Sequence, residues 1–336
     1  MSKDIRIKKG LDIKLVGEAE KTTTNIPLSS VYAVKPEDFH GITEGANVKA
    51  GQALFYDKND ERILFPSPVS GTVTEVLRGA RRKILAIKIN ADATIEHTDF
   101  GVKKPSSMSS EDVKSHLFLS GCWPFVKQRP FFQGISGVEL HTVSGPHPAG
   151  NVGTHIAKIN PINKGEVVWT LKIEDVLVIG ELFLTGRFNL TRTIALTGSQ
   201  FSKPHYVTAI AGATIADVIA KNAETTGTRV ISGNVLSGKE VKENDFLGYY
   251  DNQITAIPEG DDYEFFGWNK PVFNKISTSR ALTFSWLTPN KKYDLDTNTN
   301  GEHRAFVVTG NYEEVFPLDI YPMQLLKAFM YKDLDE

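Results

Sequence analysis

The stretch ILFPSPVSGTVTEVL, residues 63–77, decides how the first part of the chain folds. Pro66 and Pro68 close one extended run, and Gly71 opens the next because it enters positive φ without steric cost. Beyond it Thr72 and Thr74 stand against Val73 and Val76, the polar and apolar alternation of a half-buried strand. The run RRKILAIKIN, ending in the apolar Ile84 to Ile89, reads as its partner strand, and GITEGANVKAGQALFYD, residues 41–57, supplies earlier strands with tight turns at Gly45 and Gly51. A small all-β barrel or sandwich follows from this pattern.

The whole chain has 336 residues, enough for two or three compact units. Lys and Arg number 38 against 40 Asp and Glu, a net charge of -2, so no broad footprint for nucleic acid is present. A single cysteine, Cys122, excludes an intrachain disulfide, an iron–sulfur cluster held by this chain alone and a cysteine-based zinc site. The first residues, MSKDIRIKKGLDIKLVGEAE, have charges without an apolar block behind them, unlike a secretory signal. The strongly apolar VLVIGELFLTG is interrupted by Gly180 and Glu181 and falls short of the roughly 20 residues a membrane-spanning helix needs.

The organisation along the chain is mixed α+β. Residues 1–100 read as a barrel-sandwich domain, followed by a polar linker and a helix capped near Ser109 or Ser110, with Glu111 and Asp112 complementing its N-terminal dipole. Residues 101–200 read as a small α/β unit. Its helix pattern places Val176, Ile179, Phe183 and Leu184 on one face, and RTIALTG reads as a strand. Residues 201–260 read as a β-grasp module: HYVTAI is a strand, Ile215, Val218 and Ile219 mark a helix face, and RVISGNVLSGKEV is a hairpin. Residues 261–336 read as strands followed by a terminal helix.

The opening motif resembles the arm that carries biotin or a lipoyl group, which presents a lysine at a hairpin tip. Here the tip reads DKNDER, residues 57–62, with Lys58 the one nearby lysine, offset toward the preceding strand, and with Asp60 and Glu61 near the expected place. The scaffold is expected without the carrier chemistry. The loop SGPHPAGNVGTH contains Gly145, Gly150 and Gly153 in neither a dinucleotide-binding nor a phosphate-loop arrangement. Pro146 and Pro148 bracket His147 and stiffen the loop, which can present a ligand group or make a corner between domains. His141, His147 and His155 match no common metal spacing. Cys122 reads as a small buried hydrophobe. Arg78, Arg81, Arg82 and Lys83 read as a solvated turn, with anionic lipid or an acidic partner as the alternative.

Taken together, IKKGLDIKLVGEAE, FPSPVSGTVTEVLRGARR, SGPHPAGNVGTH, ELFLTG with RTIALTG, RVISGNVLSG, FFGW and TGNYEEVFPLD occur in an order that resembles the NqrA family, a component of the bacterial Na⁺-translocating NADH:quinone oxidoreductase, over nearly the whole chain. The resemblance implies a barrel-sandwich domain of biotinyl type, a remnant of a nucleotide-fold (Rossmann-like) α/β unit, and a β-grasp module of the SLBB kind. It implies a peripheral subunit on the cytoplasmic face of the bacterial inner membrane, partnered by the other subunits and especially by a membrane-embedded quinone-binding one. No cofactor is expected on this chain. NAD, flavins and iron–sulfur centres are expected on partners, and quinone is the possible ligand. The loop of Pro146, His147, Pro148 and Gly150, with His155, is the candidate quinone-proximal or inter-subunit site, and no catalytic or metal-binding residue is expected. The alternative is a small-molecule-binding β-grasp protein outside electron transfer. The resemblance also implies a long α/β segment after the pair matching Arg129 and Pro130, most of which is expected to be missing here, and a helical domain beyond the helix at Pro322 to Tyr331, which is expected to be absent.

Overall fold

The computed structural model describes residues 3–34, 39–41, 44–57, 60–79, 84–122, 139–219, 222–223, 226–260, 262, 264–267, 269–277, 282–288, 291–300 and 305–332. In chain order the first strands are β1 (Asp4–Arg6), β2 (Glu20–Asn25), β3 (Val31–Val34), β4 (Phe39–Gly41), β5 (Asn47–Val48), β6 (Ala53–Asp57), β7 (Leu64–Pro66), β8 (Gly71–Arg78) and β9 (Ile84–Ala91). The middle holds α1 (Ser110–Leu119), β10 (Thr142–Ser144), α2 (Val152–Ile159) and α3 (Ile173–Thr185). Next come β11 (Thr191–Thr197), β12 (His205–Ile210), α4 (Ile215–Ile219), β13 (Thr228–Ser232), β14 (Lys239–Val241) and β15 (Gln253–Pro258), and then α5 (Asn311–Val315) and α6 (Pro322–Tyr331).

Two sheets make the barrel-sandwich domain, one in the order β3-β9-β8-β5 and one in the order β4-β6-β7. Val48, Leu54, Phe55, Val73, Ile87 and Ile89 are buried between them. In a regular strand Val73 and Val76 would face opposite ways. Both are buried because the register slips between Val73 and Glu75, which oppose Ile89 and Lys88. This bulge resets the alternation and keeps both valines inward.

The second body is a six-stranded mixed sheet in the order β14-β13-β15-β11-β12-β2. Its centre is the parallel pair β11 and β15, flanked by the antiparallel β12 and β13, and α4 buries Ile215, Val218 and Ile219. That strand order is the β-grasp arrangement, extended at one edge by β2. The strand RTIALTG, which the sequence reading places before residue 200, is the centre of this sheet. Parallel pairing joins strands distant in sequence, so the local pattern does not announce it.

The N-terminal segment straps these bodies together. β1 pairs in parallel with β10, β2 pairs with β12, and the chain then enters the barrel at β3. One continuous apolar core runs from Tyr32 and Leu54 of the barrel to Ile194 and Ile254 of the β-grasp sheet.

The middle helices depart from the sequence reading in one respect. α1 begins as expected, at the cap Ser109, whose hydroxyl accepts from the Asp112 amide while the Asp112 carboxylate accepts from the Ser109 amide. On α3 the buried positions are Asp175, Val178, Leu182 and Phe183, whereas Leu184 is exposed. Phe183 and Ile179 still pack against the core, and Asp175 shares the buried face through the ion pair described below. After β15 the described residues form turns, a 3₁₀ turn at Ser285–Leu287 and the helices α5 and α6, where the sequence reading expects strands first. Phe266 and Phe284, at φ 54° and 67°, turn the chain out of any extended run.

Candidate functional site

The loop between β10 and α2 is fixed by the N-terminal strap. The Ile7 amide donates to the Ser144 carbonyl at 2.8 Å, and the Leu11 amide donates to the His147 carbonyl at 2.8 Å. The His147 amide donates to Asp12 Oδ1, also at 2.8 Å. Glycines permit this approach: a Cβ on Gly10 would collide with the His147 carbonyl, and one on Gly145, at φ 137°, with the Ile7 carbonyl. Gly150 is different, since a Cβ there would meet nothing within 4 Å. Within the loop the Ala149 amide donates to the Pro146 carbonyl at 2.8 Å and the Asn151 amide to the Pro148 carbonyl at 2.9 Å. The bond from His147 to Pro148 is cis.

The three histidines are placed apart in role. His155, on α2, is buried, and its Nε2 lies 2.6 Å from the Ala149 carbonyl. A carbonyl only accepts, so Nε2 carries the proton and the ring braces the loop from beneath. His141 accepts the Lys3 amide at Nδ1, 3.1 Å away, and so anchors the strap. His147 alone is exposed, its backbone held at both N–H and C=O while its imidazole faces outward. Among the described residues no group of His, Cys, Asp or Glu is arranged to hold a metal ion.

Asp60 and Arg62, ahead of β7, are held together. Arg62 donates from Nε and Nη2 to the two oxygens of Asp60 at 2.8 and 2.7 Å, and its guanidinium lies 5.1 Å over the Phe118 ring of α1. Hydrogen bonding from Arg62 holds the Asp60 carboxyl below the usual carboxylate range. Lys58 lies outside the described residues, as do Arg81, Arg82 and Lys83 of the basic run. Arg78 closes β8 and is exposed.

Sequence reasoning misses the junction of the three units. Asp175 on α3 and Arg192 on β11 are both buried and meet at 3.2 Å. Around them Lys172 Nζ donates to the Tyr250 carbonyl at 2.6 Å, and Asn252 Nδ2 to Glu174 Oε1 at 3.2 Å. The first turn of α3 is thereby stitched to the β-grasp sheet. Tyr249 joins from the other side, its ring centroid 6.4 Å from that of Phe65 on β7. Burial raises the Tyr249 hydroxyl well above its ordinary value. Burial likewise pushes the Cys122 thiol up to about 12, with the Asp175 charge adding to the effect. The thiol is a packed, protonated group, as its apolar neighbours suggest. Asp175, one position before the apolar run Val176 to Ile179, was the available signal for the ion pair.

A barrel-sandwich hybrid, a small α/β unit and a β-grasp domain, joined in that order and strapped by a shared N-terminal segment, define a class of three-part α+β proteins. Residues 5–92 match the family described as the NqrA N-terminal barrel-sandwich hybrid domain, residues 132–188 the NqrA second alpha/beta domain, and residues 193–243 the NQRA C-terminal domain. Relatives named as the A-subunit of Na⁺-translocating NADH-quinone reductase align along nearly the whole chain. The protein of Neisseria meningitidis serogroup B is 32% identical over 404 residues, covering 98% of this chain and 90% of the relative. That of Rhodopirellula baltica is 32% identical over 406 residues, with 98% and 89% covered, and that of Haemophilus influenzae 31% over 405 residues, with 98% and 90% covered. The chain belongs to the NqrA family of the Na⁺-translocating NADH-quinone reductase. The aligned length exceeds the 336 residues of this chain, so the relatives carry stretches with no counterpart here.

Proposed function

We propose that the chain serves as the peripheral NqrA component of a Na⁺-translocating NADH-quinone reductase, supporting electron transfer from NADH to quinone coupled to Na⁺ export. In this reading it is structural and quinone-proximal, the NADH, flavin and iron–sulfur chemistry belongs to partner subunits, and it sits on the cytoplasmic face of the bacterial inner membrane. The family membership supports the assembly. No helix among the described residues is long and apolar enough to cross a membrane, which accords with a peripheral place.

The single observation that carries the quinone-proximal part is the contrast at the loop. His147 offers an exposed imidazole on a backbone fixed at both its N–H and its C=O, while His155 holds the loop from the interior. A group held rigidly before its partner arrives loses little entropy on binding. The imidazole N–H suits a quinone carbonyl, and Pro146 and Pro148 give the ring apolar company. Gly150 leaves space for a partner to approach the loop.

The test is a His147→Ala variant in the intact complex. A rise in KM for quinone of about tenfold, the loss of one good polar contact, is expected with complex yield unchanged. An unchanged KM and yield would remove His147 from the quinone or inter-subunit face.

A further inference from the structure

We infer that the pocket between the N-terminal strap and the end of the β-grasp sheet binds an uncharged ring compound carrying an amide edge. The pocket is distinct from the His147 loop, and the inference stands whether or not the assembly reading does.

Three distant segments build the pocket: the strap, the ends of the central strands β11 and β15, and residues 293–295. Its volume is about 360 Å³, within the range of small-molecule sites. The Val16 amide donates to the Tyr293 carbonyl at 3.1 Å and the Tyr293 amide to the Lys14 carbonyl at 2.8 Å, a short parallel ladder over the pocket. The Gly198 amide donates to the Gly17 carbonyl at 2.9 Å. Gly17 and Gly198 have φ of 78° and 106°, and a Cβ on Gly17 would collide with the Gly198 backbone. The close crossing of strap and sheet is therefore written into two glycines.

The polar groups of the wall are committed on one side and available on the other. Gln253 Nε2 donates to Thr197 Oγ1 and to Thr255 Oγ1, each at 2.9 Å, and Thr255 Oγ1 donates to the Gly233 carbonyl at 2.8 Å. The Gln253 amide is thus oriented, and among the described residues its Oε1 is left to accept. Asn234 is the converse case, because its Oδ1 already takes the amides of Leu236 and Ser237 at 2.8 and 3.0 Å and, among the described residues, its Nδ2 is left to donate. Ser199, also in the wall, has a buried hydroxyl without a hydrogen-bond partner among the described residues. One acceptor and one donor complement the N–H and C=O of an amide or lactam.

The remaining lining sets size and charge. Leu15, Val16, Ile257 and Tyr293 give an apolar body to the pocket. The charged lining residues are one lysine and two carboxylates, Lys14, Glu18 and Asp294, all exposed at the rim, and Glu18 is held by Lys292 at 3.2 Å. Below that rim the lining carries no charged side chain, so a ligand of either sign would lose water without gaining a counter-charge in the body of the pocket. The occupant is accordingly neutral.

The experiment titrates the full chain with 1-naphthamide and with the isosteric 1-naphthoate, followed by calorimetry and ligand-observed NMR. The amide is expected to bind saturably with a Kd of about 1 mM or tighter. The carboxylate is expected at least about tenfold weaker. Asn234→Asp keeps the Oδ1 acceptor of the turn but removes the donor, and weakens the amide about tenfold while leaving the melting temperature of the free protein unchanged. If that variant is unstable, Tyr293→Leu, which alters the apolar wall, is read in its place and weakens the amide by a similar factor. Absence of saturable amide binding, equal binding of amide and carboxylate, or full affinity in a folded variant would overturn the assignment.

Discussion

Arg192 reaches Asp175 at 3.2 Å with both side chains buried, and the pair joins the helix of the α/β unit to the central strand of the β-grasp sheet. Removing one partner takes this ion pair away from a charge that stays in the core. Asp175→Ala is expected to destabilise the fold by about 3–5 kcal/mol, whereas the double variant Asp175→Leu with Arg192→Met recovers most of that loss. Urea unfolding of the single and double variants checks this, and equal losses in both would contradict it.

Cys122 provides a second test of the same junction. Its thiol is buried and pushed up to about 12, so it holds its proton at neutral and mildly alkaline pH. A thiol reagent at about pH 8 is expected to leave the native chain unmodified and to label it once unfolded in denaturant. Rapid labelling of the folded protein would place Cys122 elsewhere than in the core.

Arg229 donates to both oxygens of Glu259, at 3.0 and 2.6 Å, and Thr297 Oγ1 donates to the same carboxylate at 2.7 Å. Arg229 first, and Thr297 next, hold the Glu259 carboxyl below the usual carboxylate range. The unfolded chain therefore takes up this proton before the folded one does. The stabilisation is complete above the ordinary value of about 4.3 and is lost as pH falls through the lower folded value. Melting temperatures of Arg229→Gln and of the parent chain, measured between about pH 6 and pH 3, are expected to converge at the acid end. A gap between them that widens toward low pH would reverse the sign.

The loop gives a paired prediction. His155→Ala removes the brace under the Ala149 carbonyl and leaves space in the interior, and is expected to cost about 2 kcal/mol. His147→Ala, whose side chain is exposed, is expected to stay within about 0.5 kcal/mol of the parent. Denaturant unfolding of the two variants distinguishes them, and an equal loss would mean that the exposed imidazole also holds the fold.

Much of the architecture was legible in residues that follow simple periods. The stretch 63–77 and its partner at 84–89 alternate clearly enough to announce the barrel, although the bulge that turns Val76 inward has no local signal. The hairpin at β13 and β14 and the apolar face of α4 were likewise readable. The strap was not, because β1 and β2 are short, polar strands whose partners β10 and β12 lie far along the chain. His141, His147 and His155 look alike in the sequence, and burial alone separates brace from exposed group. The pocket at the strap has no local signal, and neither has the central place of β11 in its sheet, since both arise only when distant segments pair.

The place of this chain as the NqrA component within a membrane complex is open to experiment. Its most direct measurement is purification of the tagged full chain from the membranes of its native host in mild detergent, followed by an assay of Na⁺-stimulated NADH:quinone activity. Co-purification of the partner subunits together with that activity is expected. Recovery of the chain alone, from an extract in which the reductase is shown to be intact and active, would contradict it.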